Sequence, residues 1–200
     1  METFCIQNLI QQFQKMPSIG SRTAERLAYY MVKSSKKEIN TFVRAINAVK
    51  SNIHTCLECN NFCENDVCEI CKDKKTRDLR TLCVVEQPYD IMSIEKTKTH
   101  KGLYHVLLGV LSPLDGIGPN DIKIGHLLKR LKDSKSKIKE VIIATNPNAN
   151  GESTAAYLIK AIAPLKIKVS RIGFGVAVGS DLSYTDKSTL LRAFEARRSV

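Results

Sequence analysis

Apolar residues recur at intervals of three and four through the first fifty residues. Leu9, Ile10, Phe13 and Met16 form one series, Ala24, Leu27, Ala28 and Met31 a second, and Ile39, Phe42, Val43 and Ile46 a third; this spacing predicts three amphipathic helices. Between the first two lies MPSIGSRTAER, where Pro17 and Gly20 punctuate a turn. From about residue 79 the rhythm changes. LRTLCVVEQ, YHVLLGVL, EVIIATN and IKVSRIGF are short, apolar and β-branched, and the segments between them, PYDIMSIEKTK, IKIGHLLKRLK and GESTAAYLIKAIA, are amphipathic. Such alternation predicts a parallel sheet flanked by helices, with function gathered at the carboxyl ends of the strands. Those ends read Glu86-Gln87-Pro88, Val110-Leu111-Ser112-Pro113 and Thr145-Asn146-Pro147, and the remainder, GSDLSYTDKSTLLRAFEARRSV, reads as a turn and a final helix with a basic end.

The sixteen residues CLECNNFCENDVCEIC interrupt this pattern with five of the chain's seven cysteines. Cys56-x2-Cys59 and Cys68-x2-Cys71 are two short chelating arms across an eight-residue loop, the arrangement of a tetrahedral four-thiolate zinc site closed to water and therefore structural. A redox CxxC is the alternative, and two paired arms in so short a segment argue against it. Cys63 is out of step with both arms and is expected to be incidental, while Cys5 and Cys83 lie on apolar faces and are expected in the core. His54 is either an alternate ligand or a surface residue, the second being favoured with four cysteines available. A segment this short lacks a core, so metal binding should supply most of its folding free energy.

The apolar fraction is 43%, ordinary for a globular protein. The segment METFCIQNLIQQFQK has an early acid and no long apolar core, unlike a secretory signal. The longest apolar run, around LYHVLLGVL, is about half of the ~18 residues a membrane span needs. A soluble protein of a reducing compartment is expected. The formal charge of +11 points to a polyanionic partner or to a solvated lysine-rich surface. Residues 1–54 hold eight Lys/Arg against three Asp/Glu, which favours phosphate contact independent of base sequence. MPSIGSRTAERLA has the form of a helix-hairpin-helix whose second helix opens with exposed N–H groups, suited to a phosphate flanked by Arg22 and Arg26; an ordinary helix pair with solvated arginines is the alternative.

Over essentially its whole length the chain resembles the RecR family of bacterial recombination mediators. The resemblance rests on the order of motifs: the hairpin LIQQFQKMPSIGSRTAERLA, the paired CxxC arms, CVVEQPYDI, LSPLDGIGP, ATNPNANGE and SRIGFGVAVGSDL. It implies an α/β multidomain chain. Residues 1–53 would be an N-terminal helix-hairpin-helix that binds DNA and 54–77 a four-cysteine zinc finger. Residues 78–173 would form a Toprim-like parallel-sheet α/β domain, and 174–200 a C-terminal helical tail for oligomerisation. It also implies a non-enzymatic, cytoplasmic, nucleoid-associated DNA-repair protein that acts with RecO, and with RecF where present, to load RecA onto SSB-coated single-stranded DNA at gaps. Ring-like homotetramers able to encircle DNA belong to the same expectation. So do one structural Zn2+ per chain on Cys56, Cys59, Cys68 and Cys71, DNA contacts at Arg22 and Arg26, and a partner surface at Glu86, Asp90, Asn146 and Glu152. Ser18 and Ser21 stand where the family hairpin has glycine and proline, Asn150 where its loop has a glutamate, and Ala177 and Ser180 where proline and glycine are usual. Serine tolerates a positive φ poorly, so a looser or differently angled hairpin is expected.

The main rival is a Toprim nuclease or primase-like phosphoryl transferase. Such chemistry needs clustered carboxylates around Mg2+, and the later strand end, ATNPNANGES, lacks the DxD that would join Glu86; at most a weak Mg2+ site is expected. Asp115 and Asp121 read as solvated turn acids. A zinc-ribbon RNA module is disfavoured by six Phe, six Tyr and no Trp, none grouped for base stacking. His100, His105 and His126 form no visible constellation with a nucleophile.

Overall fold

The structure, a computed structural model, describes residues 3–197 of the 200. The chain divides into two compact units, Met1–Ile53 and His54–Val200. The first contains α1 (Phe4–Gln14), α2 (Ser21–Lys33) and α3 (Lys36–Asn52). Ile10 and Phe13 of α1 pack on Ala24 and Ala28 of α2. Both alanines are fully buried, and their short side chains let the two helix axes approach closely. The hairpin turn closes with Ser18 in the left-handed region at φ 62° and a bond from Ile19 N to the Met16 carbonyl. The turn thus forms with a serine in the conformation that glycine adopts without steric penalty. Cys5, expected in the core, is exposed. It precedes Ile6, on the packed face of α1, by one residue, a rotation of about 100° about the helix axis.

α3 starts at a capping box in which Ser35 and Glu38 satisfy each other's backbone N–H. Of its predicted apolar stripe, Ile39 is half-buried and Phe42, Val43 and Ile46 are each 46% exposed; Val49, which continues the row, is 58% exposed.

In the second unit a two-residue antiparallel pair, β1 (His54–Thr55) and β2 (Phe62–Cys63), and a single helical turn, α4 (Glu69–Lys72), carry the cysteines. There follow β3 (Asp78–Val85), α5 (Pro88–Thr97), β4 (Gly102–Val106), α6 (Ile124–Lys132), β5 (Glu140–Ala144), α7 (Ala149–Ile162), β6 (Lys168–Arg171) and α8 (Lys187–Glu195). The four long strands form a parallel sheet in the order β4-β3-β5-β6. YHVLLGVL is strand only to Val106; Leu108 then turns at φ 57° and the chain leaves the sheet.

Successive side chains of β3 serve opposite faces. Leu82 and Val84 join the larger core with Leu127 of α6 and Leu158 and Ile162 of α7. Cys83 and Val85 join Ile91 of α5, Tyr104 and Val106, with Ile70 of α4 packed against them. Each such fully buried aliphatic side chain contributes roughly 1.5–3 kcal/mol of hydrophobic transfer. Arg77, from the charged strip after the cysteines, clamps Glu95 at 2.9 and 2.5 Å while the Tyr104 hydroxyl donates to the same carboxylate at 2.6 Å, joining the knuckle's exit to α5 and β4.

Ser18 supplies a test of the hairpin. Removing its Cβ relieves a left-handed penalty of about 1–2 kcal/mol against about 0.5–1 kcal/mol of added chain entropy. Ser18→Gly is therefore expected to stabilise the first unit, slowing amide exchange at Ala24 and Ala28 by about two- to fivefold; faster exchange would show that the serine is not strained.

Candidate functional site

The four cysteines of the paired arms are brought together. Cys56, Cys59, Cys68 and Cys71 are 1–4% exposed, and their sulfur atoms all lie within 4.8 Å of one another. Sulfurs about 2.3 Å from one tetrahedral ion would be about 3.8 Å apart, and Cys59 Sγ and Cys68 Sγ are separated by 3.6 Å. The first arm is a turn off the β1–β2 pair: Cys56 N donates to the Asn61 carbonyl at 2.7 Å and Asn60 N to the Cys56 carbonyl at 2.9 Å. The second opens α4, with Cys68 as its N-cap and its N–H donating to Cys56 Sγ at 3.3 Å. Cys68 is held well below the ordinary thiol range by hydrogen bonds from Cys59 and Cys71. Cys59 and Cys71 are pushed up, chiefly by hydrogen bonding within the same cluster. Four buried thiolates would repel one another, and a dication at their centre removes that repulsion. The donor set fits zinc. Cys63 packs beside the cluster but donates to the Asn65 carbonyl at 2.8 Å. His54 is exposed and outside the four-sulfur group.

The knuckle is fastened to the sheet by a network that the sequence did not reveal. Val106 N donates to the Cys59 carbonyl at 2.7 Å. Asn60, 5% exposed and left-handed at φ 61°, donates from Nδ2 to the Val106 carbonyl at 3.0 Å and meets His126 Nδ1 with its Oδ1 at 3.0 Å. His105 Nε2 lies 3.2 Å from the Lys123 carbonyl and 3.3 Å from Asn60 Nδ2. It can donate to the first or accept from the second, not both. His105 is pushed down to about 3 by burial, with the Arg130 charge adding to it, so it stays neutral at physiological pH. An Asn directly after a chelating Cys was the available signal, since Asn tolerates the left-handed region. His105 and His126 could not be joined to it without the fold.

At the carboxyl ends of the strands, Glu86 follows β3 and Asn146 follows β5. These are neighbouring strands at the point where the strand order reverses, the position where open α/β sheets place their crevice. Glu86 is 6% exposed and accepts from Asn146 N at 2.7 Å and Asn146 Nδ2 at 2.5 Å. Gly151 closes over this pair: a Cβ there would fall 2.1 Å from the Asn146 carbonyl oxygen and 2.9 Å from Glu86 Oε1. Asn150 reaches Ser112 Oγ at 3.3 Å. The other expected acids make different bonds. Asp90 accepts from Gln87 N at 2.8 Å in the capping box of α5. Glu152 is clamped by Arg171 and by Arg192 of α8, each as close as 2.7 Å, and is held down to about 2 by those hydrogen bonds. Both guanidinium groups stack on Phe174. Asp115 and Asp121 bond within their turn, to Ser112 Oγ at 2.5 Å and Gly118 N at 2.7 Å. Among the described residues, the four cysteines are the one group of three or more His, Cys, Asp or Glu side chains able to share an ion.

In the first unit Gly20 is the N-cap of α2 and gives no side-chain acceptor, and no acid lies in the first turn. Arg22 and Arg26 project one turn apart, both exposed. Among the described residues neither has an ion-pair partner.

Four protein-family profiles match the chain in order: the RecR helix-hairpin-helix over residues 6–50, the RecR four-cysteine zinc finger domain over 53–73, a Toprim domain over 80–173 and the RecR C-terminal region over 175–198. The chain is 49% identical over 195 residues to "Recombination protein RecR" of Enterococcus faecalis, covering 98% of this chain and 97% of that one. It is 48% identical, with the same coverage, to the protein of that name from Lacticaseibacillus casei. The corresponding Bifidobacterium animalis subsp. lactis protein is 47% identical over 98% of this chain and 96% of its own.

Two outcomes are expected of this site. Cys59→Ser should lower zinc content and thermal stability together, both read on the purified protein; unchanged metal content would count against the four-thiolate centre. The folded state keeps His105 neutral, so the unfolded chain binds more protons below the ordinary imidazole pKa of about 6.5. The associated stability is fully present above that pH and is lost progressively as pH falls toward about 3. The urea midpoint should drop between pH 7 and 5.5, and His105→Gln, at matched zinc content, should flatten that drop.

Proposed function

The chain belongs to the RecR family, and from that premise we propose that it is a DNA-binding recombination mediator rather than an enzyme. In this reading it works with RecO-like and, where present, RecF-like proteins to help load RecA onto SSB-coated single-stranded DNA at gaps. It binds duplex DNA and gapped or single-strand junctions, works in the cytoplasm in association with the nucleoid, and carries one structural zinc per chain. The observation that carries the reading is the pair Arg22 and Arg26, in the first two turns of α2, both exposed and, among the described residues, without ion-pair partners. Backbone N–H groups and the two guanidinium groups there suit a phosphate, the sequence-independent part of nucleic-acid binding.

The strand ends support the non-enzymatic half of the proposal. Phosphoryl transfer of the Toprim kind needs carboxylates free to hold Mg2+ together. Here Glu86 faces an amide, Asp90 caps a helix and Glu152 neutralises two arginines. The same surface, with Glu86, Asp90, Asn146 and Glu152, is proposed as the platform for protein partners. No helix of the described residues is long and apolar enough to cross a membrane. The uncovered stripe of α3, and the exposed Leu191 and Phe194 of α8, suit self-association through the two ends of the chain, and a ring-like tetramer is the assembly proposed.

Purified protein mixed with labelled single-strand, duplex and gapped DNA, with and without Mg2+ or Mn2+, tests the reading. Binding should fall steeply with salt while the DNA stays intact. Arg22→Ala with Arg26→Ala should weaken binding on all sequences alike and lower the log–log salt slope by about 2. Metal-dependent cutting abolished by Glu86→Gln would sink the proposal.

A further inference from the structure

A cavity of about 670 Å³ opens in the second unit, at the side of the sheet away from the strand-end crevice, between the zinc knuckle, α6 and the loop from Asp133 to Ile138. Its floor is apolar, made by Leu79, Leu103 and Ile138. Leu79 and Ile138 pack on the main core beneath it. At its lip Leu57, from the first chelating arm, is 67% exposed. Leu57 thereby extends the apolar surface of the floor out to the rim.

The rim is cationic. Five Lys/Arg side chains line the cavity against Glu58 and Asp133. Both acids are engaged: Glu58 lies 3.7 Å from Lys74, and Asp133 accepts from Lys135 N at 2.9 Å. Arg130 donates to the Tyr104 carbonyl at 2.7 Å. Among the described residues Lys129, Lys135 and Lys137 have no ion-pair partner. His126, on the wall, is held below the ordinary imidazole range first by burial and then by the charges of Arg130, Lys123 and Lys129.

We propose that this cavity binds a short acidic peptide segment carrying an apolar side chain, the apolar group seated on Leu79, Leu103 and Ile138 and the carboxylates on Lys129, Lys135 and Lys137. Charge complementarity selects the sign of the partner, and the apolar floor favours a side chain that leaves water on binding. A nucleic-acid backbone matches the rim alone. It has no apolar group for the floor, and no Phe, Tyr or Trp lines the cavity to stack a base. The proposal does not rest on DNA binding by the first unit.

The full-length, zinc-loaded protein should bind a fluorescein-labelled Glu-Asp-Leu-Phe-Glu-Asp peptide in anisotropy titrations. Replacing the Leu-Phe pair by Ser-Ser should weaken binding about fivefold or more, and so should Lys135→Glu with Lys137→Glu, since about 1 kcal/mol at each locus is a factor of five. Leu57→Ser, at an exposed position, should weaken the apolar peptide and leave the Ser-Ser peptide unchanged. Absence of binding at millimolar peptide, or equal binding of the two peptides, would overturn the proposal. So would displacement by a single-stranded oligonucleotide whose own affinity falls equally in the double lysine variant, which would make the cavity part of a nucleic-acid surface.

Discussion

The second unit depends on one junction, where the carbonyl of Cys59 and the amide of Asn60 take up the end of β4. That strand is an edge of the sheet, and an edge strand leaves backbone donors and acceptors without a ladder partner. The knuckle supplies partners to both polar groups of Val106. A turn of this length holds no fixed shape unless its chelating arms are closed on an ion. The zinc site is therefore an instrument of backbone placement: it presents a carbonyl and a left-handed Asn at the height where the strand ends. His126 from α6 and Lys123 before it are drawn into the same network, so knuckle, edge strand and helix are positioned together.

The strand-end crevice shows the opposite use of a charged group. Glu86 sits where the topology would place a ligand-binding acid, yet its carboxylate is filled by the backbone and side-chain amides of Asn146. Gly151 must lack a side chain for the two loops to meet. A buried carboxylate with two short amide bonds is a stable brace between the ends of β3 and β5. Recruiting it to a metal would leave the Asn146 donors without their acceptor. Glu152, one residue beyond Gly151 in the first turn of α7, ties that helix to α8 through Arg192, so the helix end that closes over the crevice also anchors the tail.

What could be read from the residues alone was whatever local spacing determines. Two CxxC arms are close in sequence, and their convergence is a matter of short-range geometry. The strands and helices of the sheet unit follow from patterns a few residues long. Most of what could not be read there depends on distant chain. Asn60 meets partners 45 and 66 residues away, and nothing near it announces His105 or His126. Glu152 reads as a free acid until Arg171 and Arg192, 19 and 40 residues on, come beside it. Cys5 fails for a narrower reason: a small apolar residue one step off a helical stripe looks like part of it until the opposing helix shows which face it covers.

The uncovered face of α3 points beyond the single chain. Its helix is well started, with a full capping box, and carries an apolar row at the spacing of a buried face, but no residue of that row is buried. Propensity alone barely sustains a helix of this length in water; tertiary burial ordinarily does so. In the mediator reading, a helix with such a row and no cover within its own unit is one whose stability self-association would complete. In the mediator reading, the same first unit contributes phosphate-binding arginines from α2 and a self-associating face from α3. Assembly then multiplies weak, base-independent phosphate contacts into a single avid engagement, gaining affinity through effective concentration without any base-specific contact.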